Sequence, residues 1–413
     1  MSESAFLEKL LDGAEVEWVP LAEGENRITE LKRGRVMSKG YLVENSGDYP
    51  VYSSQTARNG QIGKIKTFDF DGESITWTTD GANAGTVFHR TGKFSITNVC
   101  GIIRICDVDR LNYRYLFHYL SFNTQKHVYA GMGNPKLMSN QMAKIPIPIP
   151  CPDNPEESLA IQAEIVRILD AFTELTAELT AELAARRKQY NYYRDQLLTF
   201  EEGDVEWKTL GEVCDIASGG TPSKKKLEYW SKGDVPWLKS ESCNNIPVYS
   251  ANHFITELGL NKSSAKLFQK GTTLMALVGA TIFKTAYLEF ESSTNQNMAS
   301  IKPKEGSSIA DKYVFYFLTN IYFELKAKMS NYGMLNLTTL RAFKIPIPFP
   351  EDPEKSFAEQ SRIVAILDKF DTLTHSISEG LPREIELRQK QYEYYRDLLL
   401  NFPKPEPETE GVA

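Results

Sequence analysis

The chain has 413 residues, 41% hydrophobic and 24% charged, with a net charge of −7. That composition suits two or three globular domains, each with its own core, and excludes a disordered or fibrous chain. The acidic start Met1-Ser2-Glu3-Ser4 and the lack of any apolar run near the ~20 residues of a membrane span lead us to expect no signal peptide, no membrane segment and a cytoplasmic location.

Five scattered cysteines without a Cys-x-x-Cys argue against a zinc ribbon or a disulfide framework. The net charge hides a segregation. Residues 26–150 hold 16 Lys/Arg against 9 Asp/Glu and residues 208–350 hold 17 against 11, whereas residues 151–185 hold one Arg against eight acids. Basic globular stretches around an acidic connector fit contact with a polyanion through two domains.

Read in order, the chain repeats itself after about 200 residues. Glu15-Val16-Glu17-Trp18 returns as Asp204-Val205-Glu206-Trp207. In the first half, Ile75-Thr76-Trp77-Thr78 and residues 99–106 are predicted strands, β-branched and bounded by Gly and Asn. Residues 111–125 are a predicted helix packed on them. The second half repeats the plan, with a strand over 272–278 and a helix over 311–329. Lys144-Ile145-Pro146-Ile147-Pro148-Ile149-Pro150 returns as Lys344-Ile345-Pro346-Ile347-Pro348-Phe349-Pro350. Alternating prolines forbid helix, so both runs are expected to be extended, polyproline-like exits from the domains.

A long amphipathic helix follows each run. Ile165, Ile168, Phe172, Leu175, Leu179, Leu183, Tyr190, Tyr193, Leu197 and Phe200 step along one face, with no Gly or Pro over 158–200. Ile363, Ile366, Phe370, Leu373 and Ile377 take the same steps before Gly380-Leu381-Pro382, which should break the second rod. The two stripes are expected to pack as an antiparallel pair. The first helix also carries Thr176-Ala177-Glu178-Leu179 copied as Thr180-Ala181-Glu182-Leu183. A perfect four-residue duplication drifts around a 3.6-residue helix, so Thr176, Leu179, Thr180 and Leu183 read as a length-setting segment.

Chemistry is missing from the sequence. Gly63-Lys64 and Gly92-Lys93 are followed by Ile and Phe rather than the Ser/Thr of a phosphate-binding loop. Asn134-Pro135 lacks the continuation of an amino-methyltransferase motif, Glu206-Trp207-Lys208 has no acidic partner upstream, and the five histidines have no metal spacing. We expect no catalytic residue and no metal site. What remains are polar, Gly-containing loops of the kind that read phosphates and base edges. Ser53, Ser54, Gln55, Arg58 and Asn59 form one, Thr79 and Asn83 belong to a second, and Gly219, Gly220, Thr221, Ser223, Lys224 and Lys225 form a third.

The expected fold class is α+β: two mixed α/β recognition domains joined by two long antiparallel helices with pseudo-two-fold symmetry. The expected boundaries are 1–150 and 204–350 for the domains, 151–203 and 351–402 for the helical regions, and 403–413 for a flexible tail. By that symmetry Phe402, the counterpart of Phe200, should approach the start of the first module.

The paired Lys-Ile-Pro-Ile-Pro runs, the Ile165-Val166-Arg167-Ile168-Leu169-Asp170 and Ile363-Val364-Ala365-Ile366-Leu367-Asp368 helices, the Lys-Gln-Tyr-x-Tyr-Tyr-Arg-Asp blocks at 188–195 and 390–397, and Gly219-Gly220-Thr221-Pro222-Ser223 together resemble the specificity subunit of type I restriction–modification systems. The tandem Thr-Ala-Glu-Leu segment resembles the type IC branch. The resemblance implies a non-catalytic subunit that reads an asymmetric bipartite site in double-stranded DNA, one domain per half-site. It implies docking of two methyltransferase subunits on the helices, with Tyr190, Tyr193, Arg194, Tyr392, Tyr395 and Arg396 as candidates, and of the restriction subunits through them. S-adenosylmethionine, ATP and Mg²⁺ would belong to those partners, and this chain would bind no cofactor. The alternative is a coiled-coil adaptor that binds protein through its two domains.

Overall fold

In the computed structural model, residues 10–11, 13–24, 27–130, 133–201, 203–328, 333–376 and 378–403 are described. The chain divides into two compact units, Met1–Glu178 with Glu386–Ala413, and Leu179–Ile385. Each therefore holds one globular domain and portions of both helical regions.

In the first unit, Val16–Pro20 pairs antiparallel with Pro146–Pro150, from Val16↔Pro150 to Pro20↔Pro146. The Pro-Ile run is extended, as expected, but it is a paired strand that stitches the end of the domain to its start rather than a polyproline-like exit. Alternation resolves the difference: the prolines need no ladder bond, while Ile147 and Ile149 keep their N–H groups and are fully buried. Thr29–Arg33, Cys100–Ile105, Ser74–Thr78 and Val87–Arg90 form a four-stranded antiparallel sheet, and Gln61–Ile65, Ser46–Tyr52 and Ser95–Ile96 a three-stranded one. Close packing requires Gly101, where a Cβ would lie 2.0 Å from the Trp77 ring. Helix Tyr113–Asn123, N-capped by the Asn112 side chain, buries Tyr115, Leu116, Tyr119 and Leu120 in the same core as Ile75, Trp77 and Ile103.

The second unit repeats this plan. Val205–Thr209 pairs with Lys344–Pro348. A five-stranded sheet runs in the order Cys214–Ser218, Met298–Pro303, Thr273–Ala276, Thr285–Leu288, Ile246–Val248. Phe254–Ile255, Val235–Leu238, Ser292–Thr294 and Leu267–Phe268 form the second sheet. The single helix expected over 311–329 divides at Ile321 into Asp311–Asn320 and Tyr322–Lys328, with Met329 outside the described residues.

Helix Pro155–Leu198 is unbroken over 44 residues, roughly 66 Å of rod. The second helical region splits as expected, into Pro353–His375 and Leu381–Leu400. Gly380 has φ +81°, and a Cβ there would lie 2.4 Å from the Thr372 carbonyl oxygen, so the stop needs glycine. The deepest core contacts come from Ile161, Ile165 and Leu169 in the first helix and Ile363 and Leu367 in the second, so the buried stripe lies one residue beyond Ile168 and Ile366. Ile377 lies outside the described residues.

In the second unit, Tyr190 and Tyr193 both pack on Phe370 and Arg187 donates to the Thr374 carbonyl, so the two helices run antiparallel there. In the first unit, Tyr395 stacks on Phe172. Phe402 is buried beside Tyr115, and Trp18 Nε1 donates to the Pro403 carbonyl at 3.0 Å. Phe402 and Pro403 therefore reach the start of the first module, as the duplication implied for Phe402.

Each domain is locked to its helix by the same buried glutamine. Gln162 Oε1 accepts from Asn112 N at 2.9 Å, and its Nε2 donates to the Arg110 carbonyl and Ser158 Oγ. Gln360 does the same with Ala310 N, the Ser308 carbonyl and Ser356 Oγ. About two turns on, an aspartate receives the domain helix with different chemistry in each copy. Asp170 takes Arg114 through Nε at 3.1 Å and Nη2, together with His118 Nε2 at 2.8 Å; Asp368 takes Lys312 Nζ at 3.1 Å and Tyr316 OH at 2.6 Å.

Burial pushes the Asp170 pKa up, but the hydrogen bonds and charges of Arg114 and His118 outweigh it and hold the carboxyl below its ordinary value. Burial pushes His118 below its ordinary value, against the pull of Asp170. Its Nδ1 is buried without a partner, so the neutral ring donating from Nε2 fits the site and the doubly protonated ring does not.

Replacing Gln162 with Leu would leave a backbone donor and acceptor unsatisfied, at about 2–4 kcal/mol. Hydrogen exchange resolved by segment should show the first unit destabilised and the second unchanged, with Gln360→Leu giving the reverse. Acid should also act unequally. His118 favours folding only while neutral, so its contribution falls as pH drops below about 6.5, and that of Asp170 falls at still lower pH. Amides of helix Tyr113–Asn123 should therefore lose protection between pH 7 and 5 relative to those of Asp311–Asn320, and His118→Tyr should remove that loss.

Candidate nucleic-acid interface

Strand order gathers four loops at one end of each domain. In the first domain, the end of Thr29–Arg33 and the end of Ser74–Thr78 both lie against the start of Cys100–Ile105. Ser46–Tyr52 runs parallel to Ser95–Ile96, which leads directly into that strand. The loops 34–35, 53–60, 79–85 and 97–99 consequently share an edge. Hydrogen bonds tie them together: Arg33 Nη2 donates to Thr79 Oγ1 at 3.3 Å and to the Asn98 carbonyl, Thr97 Oγ1 donates to Ser53 Oγ at 2.8 Å, and Asn83 Nδ2 reaches the Ser54 carbonyl at 3.4 Å.

The sequence candidates of the first domain are brought together here, in different states of exposure. Arg58 and Asn59 are exposed and hold φ of 51° and 54°, a left-handed pair uncommon for residues with side chains. Ser53, Ser54, Gln55 and Asn83 are half-buried, and Gln55 Nε2 donates to the Gln61 carbonyl at 2.6 Å. Thr79 is buried, with its hydroxyl engaged by Arg33.

Beneath the left-handed pair lies Arg90, which sequence reading missed. It is buried over the Tyr52 ring, 3.6 Å from its centroid, and donates to the Asn59 carbonyl at 2.6 Å and to Thr76 Oγ1 at 3.2 Å. Burial lowers its pKa. Arg33, Asn98 and Lys136 (bridged to Asp80) join the same face, and only the strand pairing identifies them.

In the second domain the equivalent edge carries loops 219–222, 239–245, 277–284 and 295–297, set by Ser218↔Ala299, Ala276↔Met298 and the parallel pair Leu238↔Thr294. Gly219 and Gly220 are buried: a Cβ on Gly219 would lie 2.1 Å from Thr294 Oγ1, and one on Gly220 would lie 2.2 Å from the Ser264 carbonyl oxygen. Their amides bond to the Met298 and Thr294 carbonyls, so the pair is needed for close packing of the loop. Thr221 Oγ1 donates to Gln296 Oε1 at 2.5 Å. Ser223, Lys224 and Lys225 are exposed.

The helix candidates have structural partners. Tyr190 is buried, Tyr193 stacks on Phe370 and Arg194 Nε donates to Asn320 Oδ1 at 3.0 Å. Tyr392 is half-buried, Tyr395 stacks on Phe172, and Arg396 lies 5.2 Å from the Phe122 centroid. The strongly exposed tyrosines of the two blocks are Tyr192 and Tyr394, passed over in the sequence. In the duplicated segment, Leu179 and Leu183 are half-buried, Thr176 Oγ1 donates to the Phe172 carbonyl, and Thr180 is exposed. Among the described residues, no group of three or more His, Cys, Asp or Glu could hold a metal ion, and no helix is long and apolar enough to cross a membrane.

Known proteins share this organisation. A family model described as the type I restriction modification DNA specificity domain matches twice, over residues 26–186 and 202–387. The EcoR124I/EcoR124II type I restriction enzyme specificity subunit of Escherichia coli is 42% identical, over 98% of this chain and 99% of its own. The EcoprrI specificity subunit, also from Escherichia coli, is 34% identical over 92% and 93%. The crystal structure of a type I restriction–modification S subunit from M. genitalium superposes with a TM-score of 0.61 at 16% identity, over 95% of this chain and 98% of that one, a likeness of fold. Two matches to the domain family and full-length relatives at this identity make the chain a member of the type I restriction–modification specificity subunits.

Proposed function

We propose that each globular domain reads one half of an asymmetric, bipartite site in double-stranded DNA. The observation that supports this reading most is the repeated loop edge: the same strand ends carry different side chains in the two copies, so one skeleton presents two unlike hydrogen-bonding surfaces. Exposed Arg58, Lys224 and Lys225 supply phosphate contact, and Ser53, Ser54, Gln55, Asn59, Asn83, Thr221 and Ser223 supply groups for base edges or backbone. Thr79, Gly219 and Gly220 act from below by shaping the loops.

In the same reading, the helical regions dock two methyltransferase subunits in the cytoplasm, and restriction subunits join through them. S-adenosylmethionine, ATP and Mg²⁺ are then bound by the partners and not by this chain. Tyr192 and Tyr394 take the exposed docking positions, with Tyr190, Tyr193, Arg194, Tyr392, Tyr395 and Arg396 orienting the helix beneath them. The Thr-Ala-Glu-Leu tandem sets the length of the nonspecific spacer, in the manner of the type IC branch. An adaptor binding protein through the same domains would not show the steep salt dependence of phosphate contact.

Exchanging residues 208–344 for those of a relative should change one half-site and leave the other intact, as read by mapping methylated adenines in cells carrying the whole system. Loss of both halves together would refute one-domain-one-half-site reading. A third Thr-Ala-Glu-Leu copy adds about 6 Å and about 400° of helix, returning the stripe to nearly the same face. The same mapping should then find both half-sites kept and the spacer longer by about one base pair of roughly 3.4 Å; an unchanged spacer with full activity would reduce the tandem to packing helix.

A further inference from the structure

The candidates drawn from the sequence are not equivalent in the two domains. In the first they follow Ser46–Tyr52 and Ser74–Thr78; in the second they follow Cys214–Ser218, the counterpart of Thr29–Arg33. Two matching strand pairs supply the correct correspondence. Tyr52 pairs in parallel with Ile96, and Leu238 pairs in parallel with Thr294. The residues of the second domain that answer to the Ser53–Gly60 loop are therefore those after Leu238, beginning with Lys239.

That segment borders an open groove of about 410 Å³, lined by Trp237, Lys239, Glu241, Asn252 and His253 among others. Trp237 is buried, and its amide bonds to the His253 carbonyl, which places Asn252 beside Leu238 at the same edge. Trp237 Nε1 donates to the Gly220 carbonyl at 3.0 Å, so the glycine pair forms part of the groove's support.

Three further observations single out this groove. Lys239 Nζ, the Glu241 carboxylate and the Asn252 amide line the groove with Lys239 half-buried and the other two exposed, and make no hydrogen bond among the described residues. Two loops of the same edge, 239–245 and 277–284, hold left-handed backbone at Asn245, φ 61°, and at buried Phe283, φ 67°, as the equivalent edge does at Arg58 and Asn59. Such conformations persist only where surrounding contacts enforce them, and they gather at ligand-contacting sites. Asn245 is fixed in this way, its Oδ1 accepting from Thr285 N at 2.9 Å. Finally, an amide, an ammonium and a carboxylate are complementary to the major-groove edges of adenine, guanine and cytosine respectively.

We propose that this groove is the base-reading site of the second domain, with Lys239, Glu241 and Asn252 as specificity-determining side chains and Lys224 and Lys225 as phosphate contacts on its flank. The inference rests on the DNA-reading function proposed above and assigns it to residues outside the Gly-Gly-Thr-Pro loop.

The test uses the full chain assembled with its methyltransferase partners and measures, for each half-site, the ratio of affinities for intact and scrambled duplexes. The half-site belonging to this domain is the one changed by the 208–344 exchange. Asn252→Ala and Lys239→Ala should each cut discrimination at that half-site by about tenfold or more and leave the other half-site within twofold, which also shows that the complex is assembled. The exchange Lys239→Glu with Glu241→Lys keeps the net charge and should change the preferred bases. Full discrimination retained at that half-site in all three variants would overturn the assignment, as would equal loss at both half-sites. If the unsubstituted complex discriminates at neither half-site, the proposed function itself fails, a distinct result.

Discussion

Each module depends on one strand pairing. Val16–Pro20 against Pro146–Pro150, and Val205–Thr209 against Lys344–Pro348, bring the start and end of a domain together at the point where a long helix departs. Without that closure the buried isoleucines of the Pro-Ile runs would lose their core, and Gln162 and Gln360 would have no fixed backbone to hold. Pairing, buried glutamine and receiving aspartate form one continuous joint in each copy. The segments between the joint strands can then change their loops while the joint itself stays constant.

The joint also shows which parts of a duplication are free to drift. The glutamine geometry is the same in both copies because its partners across the joint are backbone groups, whose positions the fold dictates, and its one side-chain partner is a serine four residues before it in both helices. The aspartate's partners are side chains, and they have diverged to Arg114 with His118 in one copy and Lys312 with Tyr316 in the other. Either pair satisfies the carboxylate. Only the first carries a histidine, which burial holds below its ordinary pKa, so two joints of one design should respond differently to acid. Being a specificity subunit, the chain is non-catalytic and its chemistry is carried by other subunits. What varies between its halves is recognition.

Much of this was legible in the sequence because it depends on local periodicity. Alternating prolines announced extended backbone, the apolar stripe announced the helices, and Gly380-Leu381-Pro382 announced their break. The partner of the Pro-Ile run was not legible, since pairing Trp18 with Pro148 is a non-local contact that no window of residues contains. The candidate site divides in the same way. Loops rich in Gly, Ser and Asn were found in both halves, but the buried state of Thr79, Gly219 and Gly220 depends on neighbours distant in sequence. Arg90 looked like any strand arginine until Tyr52, Thr76 and Asn59 closed around it. Lys239 and Asn252 lack a motif altogether; the parallel pairing of Leu238 with Thr294 brings Lys239 to the candidate edge, and the antiparallel pairing that ends at Trp237 and His253 brings Asn252 beside it.

The central claim is that one duplicated skeleton reads two unlike half-sites. It is tested most directly by mapping methylated adenines genome-wide in cells expressing this chain with its methyltransferase partner, and again without this chain. The account predicts one asymmetric motif of two different specific blocks separated by a fixed unspecified gap, present only when this chain is expressed. A single continuous block, a palindrome of two identical halves, or a motif that persists without the chain would contradict it.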